Sequence, residues 1–176
     1  MRFAYADPPY VGQAKRHYNC EEVDHAALIN RLVAEFPDGW ALSCTSGSLR
    51  FLLPLCPEGA RVGAWVKPFA SFKRGVGTEY CWEPVIWTGG RKRSRKEGTV
   101  RDFVSVPIGF NRDHPVDPKT GKAFIGTKPY EFCVWLFRMW NAKPGDELVD
   151  LFPGSGAVTR AWESWTRQGV LWSEAR

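Results

Sequence analysis

The sequence predicts an α/β fold, a mostly parallel twisted sheet with helices on both faces. Three observations carry that expectation. Phe3-Ala4-Tyr5-Ala6 near the start and Leu148-Val149-Asp150-Leu151-Phe152 near the end are short apolar runs of the kind that buried strands show. Each run ends in turn chemistry: Asp7-Pro8-Pro9-Tyr10 follows the first, and Pro153-Gly154-Ser155-Gly156-Ala157 follows the second and opens a helical pattern. Between them, further short apolar runs alternate with amphipathic stretches, the pattern of a layered α/β domain.

The elements follow in order. Residues 11 to 22 are polar and irregular and read as a loop over the ligand end of the sheet, with Lys15, Arg16, His17 and Tyr18 within reach of a ligand. Asp24 is a suitable N-cap for a helix whose apolar stripe, Leu28, Ile29, Leu32, Val33 and Phe36, reads as core. Pro37-Asp38-Gly39 ends it. Trp40 to Cys44 is the next strand, and Thr45-Ser46-Gly47-Ser48 starts a short helix towards Pro54. Val62 to Val66 and Pro84 to Trp87 read as two more strands. The interval from Lys67 to Tyr80 mixes Phe69 and Phe72 with Lys73 and Arg74, equally consistent with base stacking and with core aromatics beside solvated cations.

Residues 88 to 125 are the longest stretch without periodicity, a basic loop insertion that is functional or disordered in a compact domain. Pro129 suits the start of a helix, and residues 130 to 140 are apolar on almost every face, as in a helix buried on several sides. In the last helix Val158, Ala161, Trp162 and Trp165 share a face. Val170-Leu171-Trp172 then reads as another strand, closed by Glu174.

Composition bounds the answer further. The chain has 176 residues, and residues 1–176 read as one domain with room for a core. Its 44% hydrophobic and 24% charged residues fit a soluble globular protein. The start is too soon acidic for a signal peptide, and no apolar run approaches a membrane span, so a cytoplasmic location is expected. The five cysteines are scattered with no Cys-x-x-Cys pair, and the three histidines are equally dispersed. Neither a disulfide framework nor a metal site is expected.

The net charge of +5 is local. Arg91, Lys92, Arg93, Arg95, Lys96 and Arg101 face a single acid, Glu97, within residues 91 to 101. With six of the 24 basic residues and one of the 19 acidic ones there, the remainder is neutral. A charge run is commonly a solvated loop. Concentration of the whole excess in one segment favours contact with phosphates.

The two turns carry the chemistry. In open α/β sheets ligands bind at the carboxyl ends of the strands, where Asp7 falls. Two prolines supply no N–H and hold φ near −65°, leaving a stiff ridge of carbonyls. An acceptor carboxylate, a fixed carbonyl and an aromatic face side by side suit an exocyclic amine on a flat ring, although Asp-Pro-Pro also makes a plain strand-to-loop turn. Asp7 would accept one amino hydrogen and the Pro8 carbonyl the other, freeing the nitrogen lone pair, while Tyr10 stacks on the base. The strand, glycine turn and helix of residues 148 to 165 let a ligand approach the backbone at a helix N-terminus. Thr159 stands at the third glycine position of the dinucleotide fingerprint, and no Gly-Lys-Ser/Thr makes a P-loop. An acid such as Glu174, about 20 residues on, commonly binds ribose hydroxyls.

Asp7-Pro8-Pro9-Tyr10 with Asp150-Leu151-Phe152-Pro153-Gly154-Ser155-Gly156 resembles the amino-methyltransferases, which methylate adenine N6 or cytosine N4 with S-adenosylmethionine. The catalytic motif precedes the cofactor glycines, as in the permuted β class of DNA methyltransferases. Gly126-Thr127-Lys128-Pro129 is similar to the family's Thr-x-Lys-Pro segment, and Trp65-Val66-Lys67 with Glu83-Pro84-Val85-Ile86 is a weaker echo shared with RNA-adenine relatives. The matches run from residue 3 to 174.

The resemblance implies a Rossmann-like methyltransferase fold and catalysis by Asp7, Pro8, Pro9 and Tyr10. It implies cofactor contacts from Asp7, Thr127, Lys128, Pro129, Asp150, Phe152, Gly154, Ser155, Gly156 and Glu174. DNA adenine is the expected target, reached by base flipping or in a single strand. RNA adenine, DNA cytosine-N4 and a non-catalytic nucleic-acid-binding subunit are the alternatives. A protein-glutamine methyltransferase is similar in fold but usually has Asn at the position of Asp7. The family continues past the Glu174 strand with another helix and strand. A sheet lacking one edge strand is therefore expected, with weak cofactor affinity or a homodimer as its consequence.

Overall fold

A computed structural model describes residues 1–10, 21–68, 75, 77–107 and 127–174, with side chains of the last helix described to Arg167. The expectations placed on residues 11 to 20, 69 to 74 and 108 to 126 lie outside the described residues. Among the described residues the sheet has six strands: β1 (Arg2–Ala6), β2 (Gly39–Ser43), β3 (Arg61–Val66), β4 (Trp82–Gly89), β5 (Phe103–Ser105) and β6 (Glu147–Asp150), in the order β5-β3-β4-β2-β1-β6. β1 pairs in parallel with β2 and β6, and β3 with β5. β4 is antiparallel to both β2 and β3, so five strands run one way and β4 alone runs back.

Among the described residues four α-helices flank the sheet: α1 (His25–Glu35), α2 (Leu49–Leu52), α3 (Tyr130–Met139) and α4 (Ala157–Glu174). Alternation along the strands decides which layer each side chain joins. Phe3 and Tyr5 point to the α3 and α4 layer, with Trp65, Val85, Phe132, Phe137 and Trp140. Ala4 and Ala6 point the other way, towards Leu28, Ile29, Leu32 and Phe36. The small side chains on that face of β1 leave room for α1.

The Asp24 N-cap forms as expected, its carboxylate accepting from the Ala27 amide at 2.9 Å. Val33 departs from the expected core stripe. It is exposed, because only Leu28, Ile29, Leu32 and Phe36 turn inward. Helix α3 is sealed on most sides, with Trp140 stacked on Phe3 at 5.1 Å and nearly parallel.

Two differences from the sequence reading concern organisation. First, residues 88 to 125 are not wholly aperiodic, for they contain the end of β4, a 3-10 turn at Arg95–Glu97 and β5. β5 is a three-residue edge strand with one buried face at most, too short to give a periodic signal. Second, Val170-Leu171-Trp172 is not a strand. α4 continues without a break to Glu174. A three-residue apolar run cannot distinguish strand from helix, and here it extends the helical spacing already set by Val158, Ala161, Trp162 and Trp165. The strand end on which Glu174 was to bind a ribose is therefore absent, and β6 is the edge strand among the described residues.

Candidate active site

β1 and β6 are adjacent and run the same way, with Tyr5 opposite Asp150 and the Leu151 amide donating to the Tyr5 carbonyl at 2.9 Å. The two turns from opposite ends of the chain consequently leave the sheet together, at the carboxyl edge where open α/β sheets place ligands. Asp7, Pro8, Pro9 and Tyr10 leave β1 there. Asp150 ends β6, and Gly154, Ser155 and Gly156 turn the chain into α4.

Asp7 is the open end of a charged chain. Lys128, just before α3, lies 3.1 Å from Asp7 Oδ2 and 2.5 Å from Glu83 Oε1. Lys67, just past β3, meets Glu83 Oε2 at 2.9 Å. Signs alternate and the four charges cancel, which is the condition for burying them. Lys128 is 5% exposed and Glu83 9%, whereas Asp7 keeps 26% of its side chain open. Both ammonium groups also lie over aromatic faces: Lys67 over Trp65 at 4.4 Å, and Lys128 over Trp65 at 5.4 Å and Phe132 at 5.8 Å.

The titrations follow from this arrangement. Burial pushes the Asp7 carboxyl above its usual range, only partly opposed by Lys128, and the neighbouring Glu83 adds to the rise. Glu83 is buried too, but Lys128 and Lys67, by charge and by hydrogen bond, outweigh that cost and hold it down at about 2. Burial also works against the Lys128 charge, and Asp7 and Glu83 more than compensate. Asp150 is raised by burial despite hydrogen bonds from the Phe152 amide (3.3 Å) and Thr159 Oγ1 (3.4 Å), and Asp7 raises it further. Tyr10 is raised by burial, and the neighbouring Glu83 and Asp7 charges add to the rise against Lys128. Behind Asp7, the Tyr5 hydroxyl and Ser43 Oγ share a hydrogen bond of 2.8 Å.

The glycine turn is built for backbone access. Gly154 has φ +47° and Gly156 φ +72°, both in the left-handed region. A Cβ on Gly154 would meet nothing closer than 3.8 Å, so conformation and not crowding requires glycine there, and its backbone stands open. Ser155 is half-buried, its carbonyl accepting from Arg160 Nη1 at 2.8 Å. Phe152 packs against the α1 side of the sheet. Thr127 and Pro129 flank Lys128 at the entry to α3 and are half-buried. The side chain of Glu174 lies outside the described residues.

The basic run does not gather at this edge. Because β4 runs backwards, Gly89 pairs with Gly39 and the following residues emerge beside the amino ends of β1 and β6. The length of β1, about 17 Å at ~3.3 Å per residue, separates them from Asp7. Arg91 makes a bidentate pair with Asp146, at 2.9 Å for each bond, and donates to the Asn141 carbonyl. Arg93 donates to the Arg138 carbonyl. These two cations satisfy the carbonyl end of α3, where positive charge is favourable. Lys92, Arg95 and Lys96 are exposed and pair with no acid among the described residues, and exposed Arg101 opens β5.

Of the residues singled out in the sequence, the structure places Asp7, Tyr10, Lys128 and Asp150 at this edge, and it adds Glu83 and Lys67, which were not among the candidates. Their signal was present as the Trp65-Val66-Lys67 and Glu83-Pro84 echo. A lone Glu opening a strand carries no mark of what will surround it.

No protein-family model matches the sequence, and no curated protein matches it either. Solved structures do resemble the fold. M1.HpyAVI in complex with SAM superposes with a TM-score of 0.58 at 17% identity, over 93% of this chain and 78% of that one. A second structure of M1.HpyAVI gives 0.58 at 16% identity, over 93% and 76%. At such identities the likeness is one of fold, and the six-stranded sheet between two helical layers matches the expected Rossmann-like methyltransferase architecture.

Proposed function

We propose that this chain is an S-adenosylmethionine-dependent methyltransferase that modifies the exocyclic N6 amine of adenine in DNA. The observation that carries the reading is the meeting of Asp7-Pro8-Pro9-Tyr10 and the Gly154-Ser155-Gly156 turn on neighbouring parallel strands. The likeness in fold to an SAM complex of M1.HpyAVI supports the cofactor.

The residues present fit that cofactor. Gly154 leaves open backbone at the start of α4, and the carboxyl groups of Asp7 and Asp150 lie close enough to affect each other's charge. Asp150, Phe152, Gly154, Ser155 and Gly156 would hold it on the β6 side, with Thr127, Lys128 and Pro129 towards its methionine end. When bound, it supplies a methyl group already activated on a sulfonium. The chain then need only position and polarise the amine. With Oδ2 facing Lys128, Asp7 has Oδ1 left to accept an amino hydrogen. The Pro8 carbonyl would take the second, and Tyr10 would present its ring to the base. The carboxylate form of Asp7 is the stronger acceptor, and protonation would turn an O–H donor towards the amine. Activity should therefore fall on the acid side, with a limb above the ordinary carboxylate value of 3.8 because the group is raised.

The exposed cations Lys92, Arg95, Lys96 and Arg101 would contact phosphates away from the flipped base, a positioning role without sequence readout. Arg91 and Arg93 are spent on α3 and contribute least. The deciding experiment incubates methyl-labelled cofactor with unmethylated duplex DNA, single-stranded DNA and total RNA, followed by nucleoside mass spectrometry. N6-methyladenine in DNA is the expected product. Label in RNA alone would transfer the reading to RNA adenine, and N4-methylcytosine would transfer it to cytosine. Asp7→Ala should abolish transfer and keep cofactor binding by calorimetry. Full activity in that variant would remove the mechanism.

A further inference from the structure

We infer that Glu83, which belongs to neither sequence motif of the site, is a positioning residue that holds Asp7 in working geometry through the Lys128 they share. The inference rests on the methyl-transfer reading for its purpose, though not for its geometry. Glu83 projects from β4, the one reversed strand, so it enters the site from a part of the sheet that neither motif occupies. Its Oε1 takes Lys128 Nζ at 2.5 Å, and the same ammonium reaches Asp7 Oδ2 at 3.1 Å. Its Oε2 takes Lys67 at 2.9 Å. Residue 7 is thus held through one shared lysine, and the acid that shares it is itself fixed by a second.

A carboxylate is needed for this. A buried Lys128 facing Asp7 alone would close on it and occupy the lone pairs that an amine must use. A second acid divides that ammonium between two partners, and Lys67 supplies the charge that lets the second acid stay ionised in a buried place. The groups facing Asp7 are Lys128 before α3, Glu83 from β4, Lys67 after β3, Asp150 from β6, and Tyr5 and Tyr10 on either side of it in sequence.

The test has one arm independent of catalysis and one that reads it. In the full-length protein, the Asp7 carboxyl is followed by carbon-13 NMR through a pH titration, its signal assigned by its loss in Asp7→Asn. Glu83→Gln keeps the shape and removes the charge, so the Asp7 midpoint should move down. Lys67→Gln removes the opposite charge, so the midpoint should move up. Identical midpoints in all three proteins would overturn the inference, whatever the chain methylates. In the kinetic arm, Glu83→Gln should lower kcat roughly 10- to 100-fold, shift the acid limb downward, and leave cofactor binding by calorimetry unchanged. A kcat within twofold of the parent would equally overturn it. Should Glu83→Gln fail to fold, Lys67→Gln decides by the direction of its shift, since the Lys67 side chain is less buried than Glu83. A parent protein that methylates no nucleic acid, with the two opposite shifts present, would remove the methyl-transfer reading and retain the coupling of Glu83 to Asp7.

Discussion

Asp7 holds its carboxyl in a place that works against its charge. Burial raises its carboxyl above the 3.8 of an unfolded aspartate, so its ionisation favours the unfolded chain between those two values and above. Glu83 has the opposite sign. Held at about 2 against 4.5 when unfolded, it adds stability above that unfolded value, which is lost as pH falls towards about 2. Asp7→Asn should therefore melt at pH 7 no lower than the parent while transferring no methyl group, the usual exchange of stability for function at a site. A melting temperature several degrees lower would show that the Lys128 pair outweighs the burial of Asp7. Neither acid announces its sign in the sequence. Asp7 is conspicuous through its two prolines, but the excess of cations around Glu83 and the shared cation at Asp7 arise only from packing.

The end of α3 shows how elements are joined. The Arg91 amide donates to the Trp140 carbonyl at 2.8 Å, its guanidinium reaches the Asn141 carbonyl and Asp146, and Asn141 has φ +50°. The chain start joins the same knot, the Met1 ammonium meeting Asp146 at 2.7 Å. Burial works against the Asp146 carboxylate, yet Arg91 and the terminal ammonium hold it well below the usual carboxylate range. Arg91→Met should cost about 2 kcal/mol by denaturant unfolding, because it leaves a nearly sealed carboxylate short of two charge-assisted bonds. Its effect on nucleic-acid affinity should be smaller than that of Lys96→Ala, which touches no described acid. Equal losses of affinity would return Arg91 to the phosphate-binding group where its sequence context put it. Nearby, Gly89 at φ +75° would drive a Cβ into the Asp38 backbone, so that turn admits no other residue without displacement.

Across the molecule, the mostly parallel sheet separates two tasks by edge. The carboxyl edge carries the acids and lysines of the site, and the amino edge carries the bonds that tie β1, β6, α3 and the Arg91 segment together. Phe132 is the apolar link on the α3 side. It is fully buried, lies 5.3 Å from Trp65 and 6.1 Å edge-on to Tyr5, and sits under Lys128. Phe132→Ala should destabilise the fold by about 3–5 kcal/mol and, by loosening Lys128, lower transfer in whatever fraction remains folded. Denaturant unfolding measures the first and single-turnover transfer the second. Unchanged turnover per folded molecule would mean that Trp65 alone suffices to seat the lysine. No helix among the described residues is long and apolar enough to cross a membrane.

Local composition was enough to specify most strands, the Asp24 cap, the buried character of α3, and the two turns that meet at the candidate site. These depend on neighbours within a few residues: alternation, a cap at the right distance, proline and glycine that restrict or free φ. Packing decided the rest. It turned Val170 to Trp172 into helix, because three apolar residues take the period of whatever they extend. It sent the basic run to the far edge, because one reversed strand inverts where its connection emerges. It made Glu83 the centre of the charged cluster, because burial and paired charge are properties of what surrounds a residue, and its surroundings come from β3, β1 and the approach to α3.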